Sequence, residues 1–333
     1  MNLLAGDIGG TKADLAIYST DQGLDHPLAA TTVRSADYPD LETAAREFVT
    51  ASNIPISEAV FGVAGPVVQG RATGTNLPWV LDEGRLAKAL GVRRATLLND
   101  LLAIANAVPH LLPEHLQTLN QGEPQPDGAL AVVAPGTGMG QAFMTWDGDR
   151  YRPHPSEGGH SSFCPNSDLQ VELLVYLRQR YKHVSVERVC SGRWMISLYE
   201  FLRDERHAPE PAWLAERLAA ADDPTPVIVG NALDTDNACE LCRQTVELFA
   251  RILASAAGNL ALTVMATGGV YLAGGMPLRL LSFLTQASFT EAFAAKGRLS
   301  YLVEQMPVHV VMHPQAGLYG AAAFGLDRFE AGD

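Results

Sequence analysis

The chain has 333 residues, 47% hydrophobic and 18% charged, the balance of a folded globular protein rather than a disordered one. Its 24 Lys and Arg against 37 Asp and Glu leave a formal charge of −13, which speaks against nucleic acid or an anionic membrane as partner, because both are gripped by clustered basic side chains. Nucleotides stay open, since backbone N–H groups and a metal ion hold them, while 4 cysteines are too few for a disulfide-framed secreted scaffold.

The opening residues MNLLAGDIGG have neither a basic flank nor a long apolar run, so no signal peptide is expected and a cytoplasmic protein is. Leu3 to Asp7 and Ala13 to Tyr18 read as strands joined by the turn Ile8-Gly9-Gly10-Thr11-Lys12. Leu41, Ala44, Ala45, Phe48 and Val49 have the spacing of an amphipathic helix. Ala59 to Ala64 is an apolar strand stopped by Gly65-Pro66, Asp82 is placed to cap a helix running to Leu90, and Ala95 to Leu98 is a strand followed by a helix from Asp100. The polar stretch Pro109 to Gly128, with Pro113, Pro124 and Pro126, reads as a domain junction.

A second strand–turn–strand follows: Leu130 to Ala134, the turn Pro135-Gly136-Thr137-Gly138, and Met139 to Thr145. Helices are expected over Asp168–Tyr181, Gly192–Arg203, Trp213–Ala220 and Cys239–Ala257, with late strands at Val270–Ala273 and Val308–Met312. The uncharged run Ile252–Leu278 resembles a membrane span, but its glycines and Pro277 fit a buried helix followed by a buried strand better. Gly317 to Leu326 is a small-residue helix suited to packing back onto the first domain.

Several motifs could carry chemistry. In Gly6-Asp7-Ile8-Gly9-Gly10-Thr11-Lys12, glycines permit close approach of the backbone to an anion, Asp7 can hold a metal-bound water, and Thr11 and Lys12 can reach phosphate oxygens. An ordinary hairpin turn also uses Gly-Gly, but the flanking Asp and Thr favour phosphate. Gly136-Thr137-Gly138 repeats the logic, as if two hairpins held one polyphosphate. In Leu98-Asn99-Asp100 a carboxylate follows a strand, where α/β ligands bind; Asp100 is a general-base candidate, although spacing alone favours a helix cap. Glu157-Gly158-Gly159-His160 offers a carboxylate and an imidazole to a polyhydroxyl ligand, or is simply a solvated loop. Glu187 to Gly192 alone reads as an ion pair before a helix, and Gly268 to Gly275 as a buried strand whose Gly274-Gly275 end could admit an adenine ring. Cys239 and Cys242 are CxxC-like with no second pair, which favours core thiols over zinc or redox chemistry.

In order and spacing, GDIGGTK, LNDL, PGTGMG, EGGH, ERVCSG, GGVYLAGG and HPQAGLYG resemble the bacterial-type glucokinase family of the hexokinase, actin and Hsp70 ATPase superfamily. Lys12 stands where that pattern has Asn, and Arg193-Trp194 where it has Pro-Gly; the zinc motif of the ROK sugar kinases is missing. The resemblance implies an α/β, two-domain actin-like ATPase (ribonuclease H-like) fold with a ligand cleft between domains, residues 1–110 and 303–333 forming the small domain and 111–302 the large one. It implies transfer of the γ-phosphate of ATP to the 6-hydroxyl of glucose by a homodimer, with Mg²⁺ carried on ATP and touching Asp7 through water. Asp100 matches the catalytic base, and Asn99, Asp100, Glu157, His160 and Glu187 match sugar ligands. Gly6 to Thr11 (Gly6, Asp7, Ile8, Gly9, Gly10, Thr11) and Gly136, Thr137 and Gly138 match phosphate loops, with Gly274 and Gly275 on the adenosine side. The alternatives are a kinase for another hexose or using polyphosphate, and a non-catalytic sugar sensor.

Overall fold

The computed structural model describes residues 1–73, 79–206, 209–236 and 239–331. The chain divides into two compact units, Met1–His115 with His313–Asp333, and Leu116–Met312. The first crossing thus lies inside the Pro-rich stretch, at 115 rather than 110. The return comes at His313 rather than 303, because Val308–Val311 is a strand of the second unit's sheet.

The first unit is built on five strands: β1 (Asn2–Ile8), β2 (Lys12–Ser19), β3 (Ala29–Arg34), β4 (Glu58–Val63) and β8 (Arg94–Asn99), in the order β3-β2-β1-β4-β8. The hairpin β1–β2 and its extension β3 are antiparallel, whereas β1, β4 and β8 run parallel, so Ile8, Val63 and Asn99 end together at one edge. Between β4 and β8, β5 (Val67–Val68), β6 (Arg71–Thr73) and β7 (Val80–Asp82) form a small separate sheet.

Strands β1, β2 and β4 are buried on both faces, which is why they read as nearly continuous apolar runs, whereas the edge strand β3 alternates half-buried and exposed residues. Leu4, Ile8, Leu15, Phe61 and Leu97 pack with Leu41, Ala45 and Leu86 of the helices Leu41–Ser52 and Glu83–Leu90. Asp40 and Asp82 cap those two helices by accepting N–H bonds from Thr43 and Arg85. On the other face Leu3, Ala5, Val60 and Leu98 meet Ala103 of helix Asp100–Ala107 and Leu318, Ala322 and Leu326 of helix Ala316–Ala331. These two helices approach so closely that a Cβ on Gly320 would lie 1.8 Å from the Ala103 carbonyl oxygen.

The second unit carries six strands, β9 (Leu116–Asn120), β10 (Leu130–Pro135), β11 (Met139–Trp146), β12 (Tyr151–Ser156), β13 (Gly269–Leu272) and β14 (Val308–Val311), in the order β12-β11-β10-β13-β14-β9. Here too a hairpin, β10–β11, extends antiparallel into β12 and parallel into β13 and β14. Helix Glu240–Val264 is long and apolar enough to cross a membrane, but 78% of its apolar window is buried within the protein. Its Val246, Phe249, Leu253 and Ala257 belong to the largest core cluster. The uncharged run therefore divides as anticipated, helix then the buried strand β13.

Candidate active site

The candidate residues of the first unit gather at the carboxyl edge of β1, β4 and β8. Asp7 is the penultimate residue of β1 and, by the two-residue period of a strand, shares the face of Leu3 and Ala5 beneath the C-terminal helix. A Cβ on Gly317 would sit 2.6 Å from Asp7 Oδ2, so the start of that helix rests directly on the carboxylate. Among the described residues no hydrogen bond reaches the Asp7 side chain. Burial, then the nearby Asp100 and Asp14, push its pKa up to about 6 against a weaker opposing pull from Lys12. Lys12 itself is directed to Asp14, at 2.7 Å, and not into the turn.

The turn between β1 and β2 exposes Gly10 and Thr11. It is closed by Gly9 N–H donating to Lys12 O at 2.9 Å and is tied back by Ser35, whose hydroxyl donates to Gly9 O and whose N–H donates to Thr11 O. Gly6, within the same motif, serves packing instead: a Cβ there would meet the Phe61 ring at 2.6 Å.

Asn99 ends β8 and is the cap of helix Asp100–Ala107, its Oδ1 accepting from Leu101 N–H at 3.1 Å while its Nδ2 donates to Gly65 O at 3.0 Å. The capping role that spacing offered to Asp100 thus falls to Asn99. Asp100 becomes the first helical residue, with Oδ1 also within 2.9 Å of Leu101 N. Burial raises its pKa, opposed by hydrogen bonds from Leu101 N–H and the Asn99 side chain. Asp7 and Asp100 are therefore two poorly compensated carboxylates held at one sheet edge.

In the second unit the candidates surround the β10–β11 turn. Gly136 N–H donates to Gly138 O at 2.8 Å, and Gly192 N–H donates to Gly136 O at 2.7 Å. Glu187, in the short helix Val186–Val189, accepts from Met139 N–H through Oε2 at 3.1 Å. A Cβ on Gly138 would lie 2.7 Å from that same oxygen, so the glycine is what lets the carboxylate reach the turn. Gly159 packs against the Met139 carbonyl, where a Cβ would stand 1.9 Å away, and so fixes the loop that carries Glu157 and His160. Those two side chains are 91% and 63% exposed, with His160 Nε2 3.9 Å from Glu157 Oε2. Both keep nearly all their hydrogen-bonding capacity for a ligand. Gly274 adopts φ +84° beside the Pro135 carbonyl, and Gly275 opens helix Gly275–Arg279.

Residues 4–327 match the family model for glucokinase. A protein of Nostoc punctiforme named glucokinase is 39% identical, the match covering 96% of this chain and 97% of that one. The chain belongs to the glucokinase family. The crystal structure of a glucokinase from an Antarctic psychrotroph is 32% identical, with TM-score 0.83 over 97% of this chain and 98% of that one. A ROK-family glucokinase from Streptomyces griseus, solved with glucose and AMPPNP, shares the fold at 19% identity, TM-score 0.64, with 97% of this chain and 99% of that one covered. The fold is accordingly the actin-like ATPase fold of sugar kinases.

Within this glucokinase-family chain, sequence reasoning missed the parts that hold the candidates in place. Ser35 behind the first turn has no signature of its own, and Gly317 and Gly192, though inside the motifs HPQAGLYG and ERVCSG, give no sign in sequence that they rest against Asp7 and the second turn. No group of three or more His, Cys, Asp or Glu side chains among the described residues is placed to hold a metal ion. The cation-seeking feature is the pair Asp7 and Asp100. An unbonded, largely buried carboxylate whose charge is penalised by its neighbour suits a magnesium ion delivered by a nucleotide.

Proposed function

We propose that the chain is an ATP-dependent glucokinase that moves the γ-phosphoryl group of ATP to the 6-hydroxyl of glucose, with Asp100 as the base. The observation carrying this reading is Asp100 itself: a first-turn helix residue at the carboxyl edge of the parallel strands, sharing the Leu101 N–H with the cap Asn99 and biased toward accepting a proton by its burial. Asp100 takes the proton of the 6-hydroxyl as that oxygen bonds to the γ-phosphorus and the bond from phosphorus to the β-phosphate bridging oxygen breaks, releasing ADP.

With the N–H groups of Gly9 and Gly136 spent in closing their turns, those of Gly10, Thr11, Thr137 and Gly138 hold phosphate oxygens, Gly9 and Gly136 shape the approach, and Thr11 and Thr137 add hydroxyls. Magnesium, when bound with ATP, offsets phosphate charge; Asp7 is the residue that would hold it, through water. Glu157, His160 and Glu187, with Asn99, orient the sugar, turning binding energy into alignment of one hydroxyl. Gly274 and Gly275 leave room on the adenosine side. The same reading makes the protein a cytoplasmic homodimer; the charge of −13 supports only the further expectation that it has no nucleic-acid or anionic-membrane partner.

A coupled assay for ADP with glucose and MgATP tests the reaction, and a panel of hexoses and polyphosphate separates the rival substrates. Asp100→Asn keeps the shape and the contact to Leu101 but cannot take a proton. It should retain glucose binding and lose about 10²–10⁴-fold in turnover; turnover within a few-fold of the unmodified enzyme would falsify the assignment of the base.

A further inference from the structure

Glu187 rides on a helix of only four residues, Val186–Val189, too short to fix its own rotation. Its neighbour Arg188 shows what does. The guanidinium carbon lies 3.8 Å from the centre of the Tyr181 ring and 4.1 Å from that of Trp194. The two rings meet edge to face, 5.9 Å apart at 75°, so the guanidinium fills the corner they make. Its Nη1 is buried with no hydrogen-bond partner among the described residues, so on that side the guanidinium is met by the ring faces.

Each ring is anchored independently of the short helix. Tyr181 is tied to the end of helix Asp168–Arg178 by its N–H to Leu177 O at 2.9 Å, and Trp194 leads into helix Met195–Arg206. Adjacent residues on a helix point about 100° apart. With Arg188 locked in the aromatic corner, Glu187 is turned to the β10–β11 hairpin, where it meets Met139 N–H.

We propose that the Tyr181–Arg188–Trp194 stack is a positioning device for Glu187, setting the rotation of the short helix and so the aim of the carboxylate at the sugar. The inference rests on the reading of Glu187 as a glucose ligand. Arg188 and Trp194 act through Glu187 and need not touch the substrate. The hairpin turn keeps its internal bond, Gly136 N–H to Gly138 O, which involves neither Glu187 nor the stack, so the nucleotide side should feel the loss less.

The test is steady-state kinetics on four single variants and one double variant. Trp194→Leu keeps apolar bulk and removes the ring. It should raise KM for glucose about tenfold or more, within the up to 10²-fold that misplacing a reacting group costs, and leave KM for ATP within about twofold. Trp194→Phe, which restores a ring face, should return glucose KM to near the starting value. Glu187→Gln should raise glucose KM by itself, and adding Trp194→Leu to it should cost little more, because two residues acting as one unit are not additive. Arg188→Lys keeps the charge but not the planar face; it should mimic Trp194→Leu and replaces it if that variant does not fold. Equal shifts in both KM values, failure of Phe to rescue, or full additivity would each overturn the proposal. If Glu187→Gln raises glucose KM and Trp194→Leu does not, the stack alone is refuted. If Glu187→Gln changes nothing, the reading of Glu187 fails and the stack's role goes with it.

Discussion

Replacing Asp7 by Asn should make the protein more stable and a worse enzyme. The carboxyl is pushed up to about 6, first by burial, then by Asp100 and Asp14. Lifting a carboxyl that far from its ordinary 3.8 corresponds to about 3 kcal/mol of charge held unfavourably in the folded state. The sign follows from proton linkage. Between 3.8 and about 6 the folded state binds more protons than the unfolded chain, so this group lowers stability as pH rises through that window; the penalty is complete above it and absent below. Asp7→Asn has no such group. It should gain up to about 3 kcal/mol at pH 7.5, less whatever the unpaired amide costs, about half of that at pH 5, and none below the unfolded value. Urea unfolding followed by circular dichroism at several pH values measures the difference between the two proteins. Turnover should fall by about 10²-fold, the scale of removing one group that manages transition-state charge. A variant no more stable than the parent at pH 7.5, or a gain that does not shrink on acidification, would refute the account of Asp7 as a penalised charge.

Other expectations follow from the same geometry. Turnover should fall on the acidic side as Asp7 and Asp100 protonate, with the Asp7 limb near pH 6, read from the pH profile of kcat/KM. His160→Ala should leave urea unfolding within about 0.5 kcal/mol, because the side chain is exposed, yet weaken glucose binding by about 1–3 kcal/mol in calorimetry; equal effects on ATP would contradict its assignment to the sugar. Gly317→Ala puts a methyl 2.6 Å from Asp7 Oδ2 and should cost about 1–3 kcal/mol of stability; in the Asp7→Ala background, where that oxygen is gone, the cost should largely vanish.

Much of the fold was legible because its central strands are buried on both faces and its helices are amphipathic. The strands around Leu3–Asp7 and Ala59–Ala64, the capped helix after Asp82 and both Gly-rich turns emerge within a residue or two. Edge elements were not. Strand β12 contains Pro153 and Pro155, which cannot donate to a ladder and read as loop; they are tolerated because β12 is the outermost strand of its sheet. Strand β9 hides in the stretch taken for a junction, since only pairing with β14 orders it. Helix Glu240–Val264 runs beyond Ala257 because Gly258 is a packing residue, where a Cβ would meet Phe293 O at 2.4 Å, rather than a stop. At the site, residue types were readable and their division of labour was not. Asn99 and Asp100 are both acceptable caps by type, and only the coordinates show Asn99 taking that duty.

The two halves of the candidate machinery share one frame and differ in chemistry. In each sheet a hairpin is extended on one side by an antiparallel strand and on the other by two parallel ones, β3-β2-β1-β4-β8 in one unit and β12-β11-β10-β13-β14 in the other. The faint sequence echo between the two Gly/Thr turns thus has a structural basis, since both occupy the same hairpin. The frame explains why Gly10 and Thr11 at one turn and Thr137 at the other are exposed, which under the proposed function is a shared capacity for phosphate. It does not explain proton chemistry. The penultimate residue of the first hairpin strand is Asp7, whereas in β10 it is Ala134. The third parallel position ends in Asn99-Asp100 in the first unit and in Val311-Met312 in the second. Repetition of the sheet supplies the proposed phosphate turn twice; the two carboxylates whose charge is penalised by burial occur once. The second turn instead meets Glu187 from a helix outside the repeated frame, whose next residue, Arg188, lies in an aromatic corner. On the proposed reading, catalysis and sugar choice rest on a few side chains added to a repeated scaffold, so substitution at Asp7 should change stability and turnover together, at Asp100 turnover, and at Glu187 glucose binding.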